Sequence, residues 1–228
     1  SGILNGIDTI SFDPTTDKSI GVNYDGTMIH KRAINKKLLQ DRLGLALDPN
    51  VPLLAIISRM DVQKGVDLAF TALKNMKRIN FQAVILGTGD PKLEDSARKL
   101  QEEFPDKIKA ELRFDANLAR QIYAGADMIL MPSRYEPCGL AQMIAMRYGC
   151  VPVVRAVGGL KDTVKQNETG FVFEKAHHMS LVSAIKTAMK AMADPEKWQA
   201  IQRAGMAKDF SWEASAREYL NLYLSLVK

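Results

Sequence analysis

The stretch Ser133-Arg-Tyr-Glu-Pro-Cys-Gly-Leu-Ala-Gln142 decides how this chain is read. It follows an apolar run, Met128-Ile-Leu-Met131, closed by Pro132, and it leads into Ala141 to Arg147, whose spacing predicts a helix. A short buried strand therefore passes through a Pro/Gly turn into a helix. The corner carries an arginine, Arg134, a carboxylate, Glu136, and backbone N–H groups that no strand consumes. That set is suited to holding a polar, anionic ligand.

Outward from this corner the same strand–turn–helix unit repeats. Upstream, Leu53–Ile57 and Phe81–Leu86 read as strands, Ile108–Leu112 alternates as another, and Val66–Met76, Pro91–Phe104 and Ala116–Tyr123 read as helices. Asp90 is placed to cap the second of these helices, with Pro91 at its first position. Downstream, Val151–Val154 is a strand, Gly158-Gly159 opens a short polar segment, and Phe171–Phe173 is the last strand. Helical stretches at 178–192, 196–207 and 212–226 close the chain. Near-continuous apolar strands separated by helices mean βαβ units, so the expected fold is α/β, a doubly wound parallel sheet covered on both faces. Right-handed crossovers leave few alternative topologies.

Residues 1–50 are punctuated by Asn5-Gly6, Asp13-Pro14, Asp25-Gly26 and Asp48-Pro49. Between these turns one helix is predicted, Met28 to Leu43, with Ile34, Leu38, Leu39 and Leu43 on its apolar side and Gly44 as its stop. We read 1–50 as an entry arm with one helix and 51–228 as a ligand-binding domain with C-terminal helices. The opening Ser1-Gly-Ile-Leu-Asn-Gly-Ile-Asp8 lacks an initiator Met and reads as a turn, so the expectation is a piece of a longer protein.

Composition narrows the function. With 46% hydrophobic and 25% charged residues in 228, the chain can bury an ordinary globular core. The net charge of +5 is dispersed among acids rather than gathered in a stripe, which argues against nucleic acid and for a solvated surface with one anion site. The two cysteines, Cys138 and Cys150, form no CxxC and fit a reduced intracellular compartment. His30 and the pair His177-His178 lack metal-ligand spacing, so no metal and no cofactor is expected. Neither a membrane-length apolar run nor a signal-like leader is present, so no membrane partner is expected.

In doubly wound sheets ligands bind beyond the carboxyl ends of the strands. Those ends carry Ser58-Arg59 through Lys64-Gly65, Gly87-Thr-Gly89-Asp90, Arg113-Phe114-Asp115, the Glu136 stretch and Val157-Gly158-Gly159-Leu160. Arg59 and Lys64 stand five apart on one strand–helix turn and can converge on an anion; a surface ion pair is the plainer reading. The usual phosphate motifs fail: no GxxxxGK[ST] occurs, and Lys92 replaces the third glycine after Gly87-Thr-Gly89. Pro137 holds Glu136 extended, so that its carboxylate projects from the turn. A carboxylate beside a phosphate site is reconciled by a ligand that also carries hydroxyls, such as a nucleotide sugar, although a surface glutamate is the alternative. Gly158-Gly159 offers backbone N–H groups or else a plain αβ turn, and Phe114 presents a face for a base or else belongs to the core. The cysteines read as small buried thiols.

These motifs together resemble a family. Ser58-Arg-x4-Gln63-Lys64-Gly65, Leu86-Gly-Thr-Gly-Asp90, Tyr123-Ala-Gly-Ala-Asp127, Pro132-Ser-Arg-Tyr-Glu-Pro-Cys-Gly-Leu140, Arg147-Tyr-Gly149 and Gly158-Gly-Leu-x-Asp-Thr-Val164 are similar, in order, to the C-terminal half of bacterial and plant glycogen/starch synthases. Those are ADP-glucose-dependent, retaining hexosyltransferases of the two-domain GT-B architecture, whose C-terminal half is Rossmann-like. The resemblance implies Arg59, Lys64 and Glu136 as catalytic residues, the first two on the diphosphate and Glu136 on the glucose ring. It implies Phe114, Cys138, Gly139, Leu140, Ala141, Gly158, Gly159 and Leu160 as donor-binding. Phe114 stands where the family usually has Tyr, and Ala141 where many bacterial members have Thr. The implied partners are ADP-glucose and an α-glucan acceptor held mainly by an N-terminal half; the implied location is the cytoplasm, or the plastid stroma of a plant. A GT-B transferase for a UDP- or GDP-linked sugar and a non-catalytic nucleotide-binding module remain as alternatives.

Overall fold

The computed structural model describes residues 2–227. Six strands form one all-parallel sheet: β1 (Leu53–Ile57), β2 (Gln82–Leu86), β3 (Ile108–Glu111), β4 (Met128–Met131), β5 (Val151–Arg155) and β6 (Phe171–Phe173). Their spatial order is β3-β2-β1-β4-β5-β6, with Ala55 beside Val84 on one side and Ile129 on the other. The chain builds outward from β1 in one direction, then returns to β4 and builds in the other. The switch between β1 and β4 leaves their following loops parting to opposite faces, which opens a crevice there.

Alternate residues of each strand serve opposite faces. Leu54, Ile56, Ile85 and Leu130 pack under α2 (Val66–Asn75), α3 (Pro91–Glu103), α7 (His178–Met192) and α8 (Pro195–Met206). Leu53, Ala55, Val84 and Ile129 pack under α1 (Arg32–Arg42), α4 (Ala116–Gly125), α5 (Ala141–Arg147) and α6 (Gly158–Thr163). Helix starts follow side-chain chemistry. Asp90 Oδ1 accepts from Lys92 N at 2.7 Å with Pro91 behind it, and Asp115 Oδ1 accepts from Leu118 N at 2.8 Å. The last helix, α9 (Trp212–Leu226), buries only Ser215. Among the described residues no helix is long and apolar enough to cross a membrane.

Two features depart from the pattern in the sequence. The inward face of α1 is polar: Arg32, Asn35, Lys36 and Gln40 are buried with Leu39, whereas Ile34 and Leu38 are each 47% exposed. Most buried polar groups on this face are paired: Arg32 Nη2 donates to Tyr123 O and Ala126 O, although Arg32 Nε has no partner among the described residues. Lys36 Nζ donates to Pro49 O (2.9 Å), Val51 O (2.7 Å) and Asp127 Oδ2 (2.7 Å), and Gln40 Nε2 donates to Asp48 O and to Gln82 Oε1. Satisfied hydrogen bonds offset the desolvation that apolar periodicity would have avoided. The second feature is α6, a short helix of six residues that begins at the two glycines, where the sequence suggested only a polar segment.

The first thirty residues are fastened to the outer layer through a small polar network. Asp17 is buried and accepts from Tyr148 Oη at 2.5 Å, Ser19 N at 2.8 Å and Arg120 Nη1 at 3.2 Å, while Tyr24 Oη donates to Tyr148 O at 2.8 Å.

Candidate active site

The loops after β1 and β4 line a cleft of about 360 Å³ that contains Arg59, Lys64, Ser133, Glu136, Gly139, Leu140 and Ala141. A second recess of about 260 Å³ adjoins it beyond the carboxyl ends of β2 and β3 and holds Phe114. Ile57, Ser58 and Arg59 line both, so Arg59 stands on the wall between the recess that holds Lys64 and Glu136 and the apolar one that holds Phe114.

Glu136 does not project from the turn. Its side chain is folded into the protein, 5% exposed, and Oε2 receives Lys64 Nζ at 2.6 Å and Ser133 Oγ at 3.1 Å. Pro137 sets the backbone, but the half-buried Lys64 ammonium draws the carboxylate inward. The surface-glutamate alternative is thereby removed. Lys64 itself is 21% exposed, held on a turn closed by Lys64 N donating to Asp61 Oδ1 at 2.8 Å. Arg59 is far more open, with a 72% exposed side chain and one partner, Asp61 Oδ2 at 3.2 Å. The three residues implied as catalytic thus meet on one cleft, two of them already joined as an ion pair.

Phe114 is 88% exposed at the end of β3, which excludes the core reading and leaves an aromatic face on the apolar recess. Gly139, Leu140 and Ala141 line the cleft that holds Lys64 and Glu136, and Cys138 stands just behind it, half-buried. Gln142, fully buried, donates Nε2 to Cys138 O at 3.2 Å and to Gly139 O at 2.8 Å and so fixes this loop from below.

Several expectations change. Gly159 leaves no open backbone for a ligand, whereas Gly158 stays exposed; a Cβ on Gly158 would lie 2.0 Å from Glu136 O, and one on Gly159 2.0 Å from Cys138 O. Gly159 N donates to Glu136 O at 3.1 Å, so this amide is spent on the protein. The glycines are there because the Glu136–Cys138 main chain occupies the space. Leu160 is likewise internal, fully buried with its N–H on Val157 O. Arg134, the arginine of the opening stretch, faces the neighbouring loop: it makes a two-pronged pair with Asp67, Nη1 to Oδ1 and Nη2 to Oδ2, both at 2.7 Å. Gly87-Thr-Gly89 is closed as well, since Thr88 Oγ1 and Gly89 N both donate to Glu94 Oε1, which holds that carboxyl below its usual range.

Sequence reasoning missed Ser133 and Asp67. A serine before an arginine carries no distinctive signal, and Asp67 reads as an ordinary acid in the first turn of a helix.

The family model described as glycosyl transferases group 1 matches residues 40–205. The chain belongs to the group 1 glycosyltransferases. Within that family it is 46% identical over 230 residues to a glycogen synthase of Anaeromyxobacter sp., covering 99% of this chain and 48% of that one. It is 45% identical over 229 residues to a glycogen synthase of Thermotoga maritima, covering 97% and 47%. The solved catalytic domain of starch synthase IV from Arabidopsis thaliana, bound to ADP and acarbose, superposes with a TM-score of 0.91 at 34% identity over 98% of this chain and 48% of that one. The expected fold, a Rossmann-like α/β sheet of the GT-B type, is the one shared with these glycosyltransferase structures. The chain spans about half the length of these relatives.

Proposed function

We propose that this chain is the donor-binding, C-terminal half of an ADP-glucose-dependent α-1,4-glucan synthase, a retaining hexosyltransferase. The observation that carries the reading is Arg59 on the wall shared by two recesses. A nucleotide sugar has the same three-part order: a flat apolar base, a dianionic linker and a hydroxyl-rich ring. Phe114 offers its exposed face to adenine, Arg59 and Lys64 face the diphosphate, and Glu136 with the Gly139–Ala141 backbone faces the glucose. The glycogen synthase relatives and the ADP-bound starch synthase favour adenine and glucose over other nucleotide sugars.

As the bond between glucose and ADP breaks, negative charge grows on the leaving diphosphate. Cations already in place stabilise that charge without reorganising, and this stabilisation supplies much of the rate. Lys64 then serves two anions, the buried Glu136 carboxylate and the diphosphate, and so couples sugar to leaving group. Glucose passes to the 4-OH at the non-reducing end of an α-glucan with retention; no carboxylate here is needed as a covalent nucleophile. We assign the acceptor and the other wall of the site mainly to an N-terminal half, residues 1–50 to an entry arm and 51–228 to the donor domain. Two free thiols fit the reduced cytoplasm.

A thermal-shift panel of ADP, UDP and GDP tests the reading. ADP is expected to stabilise the chain and the other two to do so less; equal shifts for all three would refute the donor assignment. Phe114→Ala is expected to leave the melting temperature unchanged, its ring being solvent-exposed, while weakening ADP binding about tenfold, the loss of about 1–3 kcal/mol of base stacking. The chain alone is expected not to extend a glucan from ADP-glucose, and appreciable extension would contradict the division of labour.

A further inference from the structure

Lys64 and Glu136 reach each other from two separate loops, and their spacing depends on how those loops are held. The stitching is unusually complete. Arg134 Nη1 and Nη2 bond the two Asp67 carboxylate oxygens, Nη1 also donates to Val62 O at 2.7 Å, and Arg134 N donates to Gln63 O at 2.7 Å. Gln63 Nε2 returns the contact to Tyr135 O at 3.1 Å. Gly65 sits against Pro132 so closely that a Cβ would come within 2.2 Å of Pro132 O. From behind, Arg155 Nη1 donates to Ser133 O and Arg134 O at 2.9 and 2.8 Å.

From this geometry we infer that Asp67 and Arg134 are positioning residues, a clamp that sets Lys64 opposite Glu136 and so fixes the cleft in its ligand-binding shape. The inference rests on the reading of Lys64 and Glu136 as donor-binding groups. Neither Asp67 nor Arg134 lines the cleft, and Arg134 is neutralised by its partner rather than free for a phosphate. The pair is 35% and 39% exposed, and ion pairs so exposed add little to folding. What a planar guanidinium does supply is direction: two parallel bonds to one carboxylate, which an ammonium cannot reproduce. The Arg134 hydrogen bonds also hold the Asp67 carboxyl below its usual range, so the clamp stays charged through neutral pH.

Calorimetric titration of the chain with ADP tests the clamp. Arg134→Gln, Asp67→Asn and the double variant are each expected to weaken ADP binding by the same factor, about tenfold, as expected for a small misplacement of binding groups. Arg134→Lys is expected to behave like Arg134→Gln. Because the clamp works through Lys64, adding Arg134→Gln to Lys64→Ala is expected to change the affinity less than about twofold, whereas an independent structural role would add in full. Folded variants with the parent affinity, or an additive effect in the Lys64→Ala background, would overturn the inference. Cys138 gives a readout that needs no nucleotide: it is half-buried on the clamped loop, while Cys150 is buried. Arg134→Gln is expected to speed its labelling by a thiol reagent at least about threefold through local opening, and an unchanged rate would also overturn the clamp. A parent chain that binds no ADP would instead sink the nucleotide-sugar reading and leave the labelling result to decide this one.

Discussion

Removing either partner of the Lys64–Glu136 pair should destabilise the protein by unequal amounts, and the inequality follows from where each group sits. Lys64→Ala leaves the Glu136 carboxylate, 5% exposed, with only the Ser133 hydroxyl. Stranding a fully buried charge costs about 3–5 kcal/mol; since the lysine is itself 21% exposed, water can enter where it stood, and we expect about 2–3 kcal/mol here. For a domain of this size each kcal/mol moves the melting temperature by about 2–4 °C, so a fall of about 5–10 °C is predicted. Glu136→Gln strands a cation instead, but one on a flexible stem whose nitrogen can turn to solvent, at a cost of about 1 kcal/mol. The double variant Lys64→Met/Glu136→Gln carries no buried charge and should recover most of the stability loss while still binding ADP more weakly than the parent. Melting curves at pH 7 and 0.15 M salt measure all three. If Lys64→Ala costs no more than Glu136→Gln, or the double variant is simply additive, the pair does not neutralise a buried carboxylate and the reasoning fails.

Two further predictions concern the frame around the site. Burial alone would raise the Asp17 carboxyl, but the Tyr148 hydroxyl, the Ser19 N–H and Arg120 outweigh it and leave Asp17 below the ordinary value of 3.8. A carboxyl whose folded value is depressed stabilises the fold fully above about pH 5 and loses that contribution as pH falls through the folded value. Urea midpoints followed from pH 6 to pH 3 should therefore fall less steeply in Asp17→Asn than in the parent, and parallel curves would refute the assignment. Gly65→Ala places a Cβ 2.2 Å from Pro132 O at a φ of 68°, and should cost at least about 2 kcal/mol in denaturant titration. Gly26→Ala, whose Cβ meets nothing within 4 Å, is the neutral control, and equal effects would contradict the close approach of the two loops.

Most strands were legible because they are largely apolar runs between turn or charged residues, as a sheet buried on both faces demands, and the edge strand β3 was legible by its alternation, Ile-Lys-Ala-Glu. The crevice was legible for the same reason: once the strands were counted, the loops at their carboxyl ends named Arg59, Lys64, Phe114 and Glu136. What stayed hidden were facts about partners distant in sequence. Nothing near Arg134 announces Asp67, sixty-seven positions earlier, so a residue that binds protein read as one that binds ligand. Gly159 looked open because a sequence shows a missing side chain but not the Cys138 carbonyl that fills its place or the Glu136 carbonyl that takes its N–H. The inward face of α1 was misjudged because periodicity ranks Ile34 and Leu38 above Lys36 and Gln40. It cannot count the acceptors waiting at Pro49, Val51 and Asp127.

The closure of the Gly87-Thr-Gly89 loop by Glu94 has a consequence for charge. A glycine loop at a strand end ordinarily gathers positive potential and competes for any phosphate nearby. Here the loop carries its own counter-ion, one turn into α3, and that counter-ion is further tethered by Arg98 Nη2 at 3.2 Å. On the proposed reading a diphosphate would meet a neutralised neighbour on one side and, on the other, the Arg59 guanidinium, 72% exposed with Asp61 Oδ2 at 3.2 Å. On that reading the effect would be directional, the anion being guided toward β1 and β4 by the silencing of β2 as well as by the cations of the cleft.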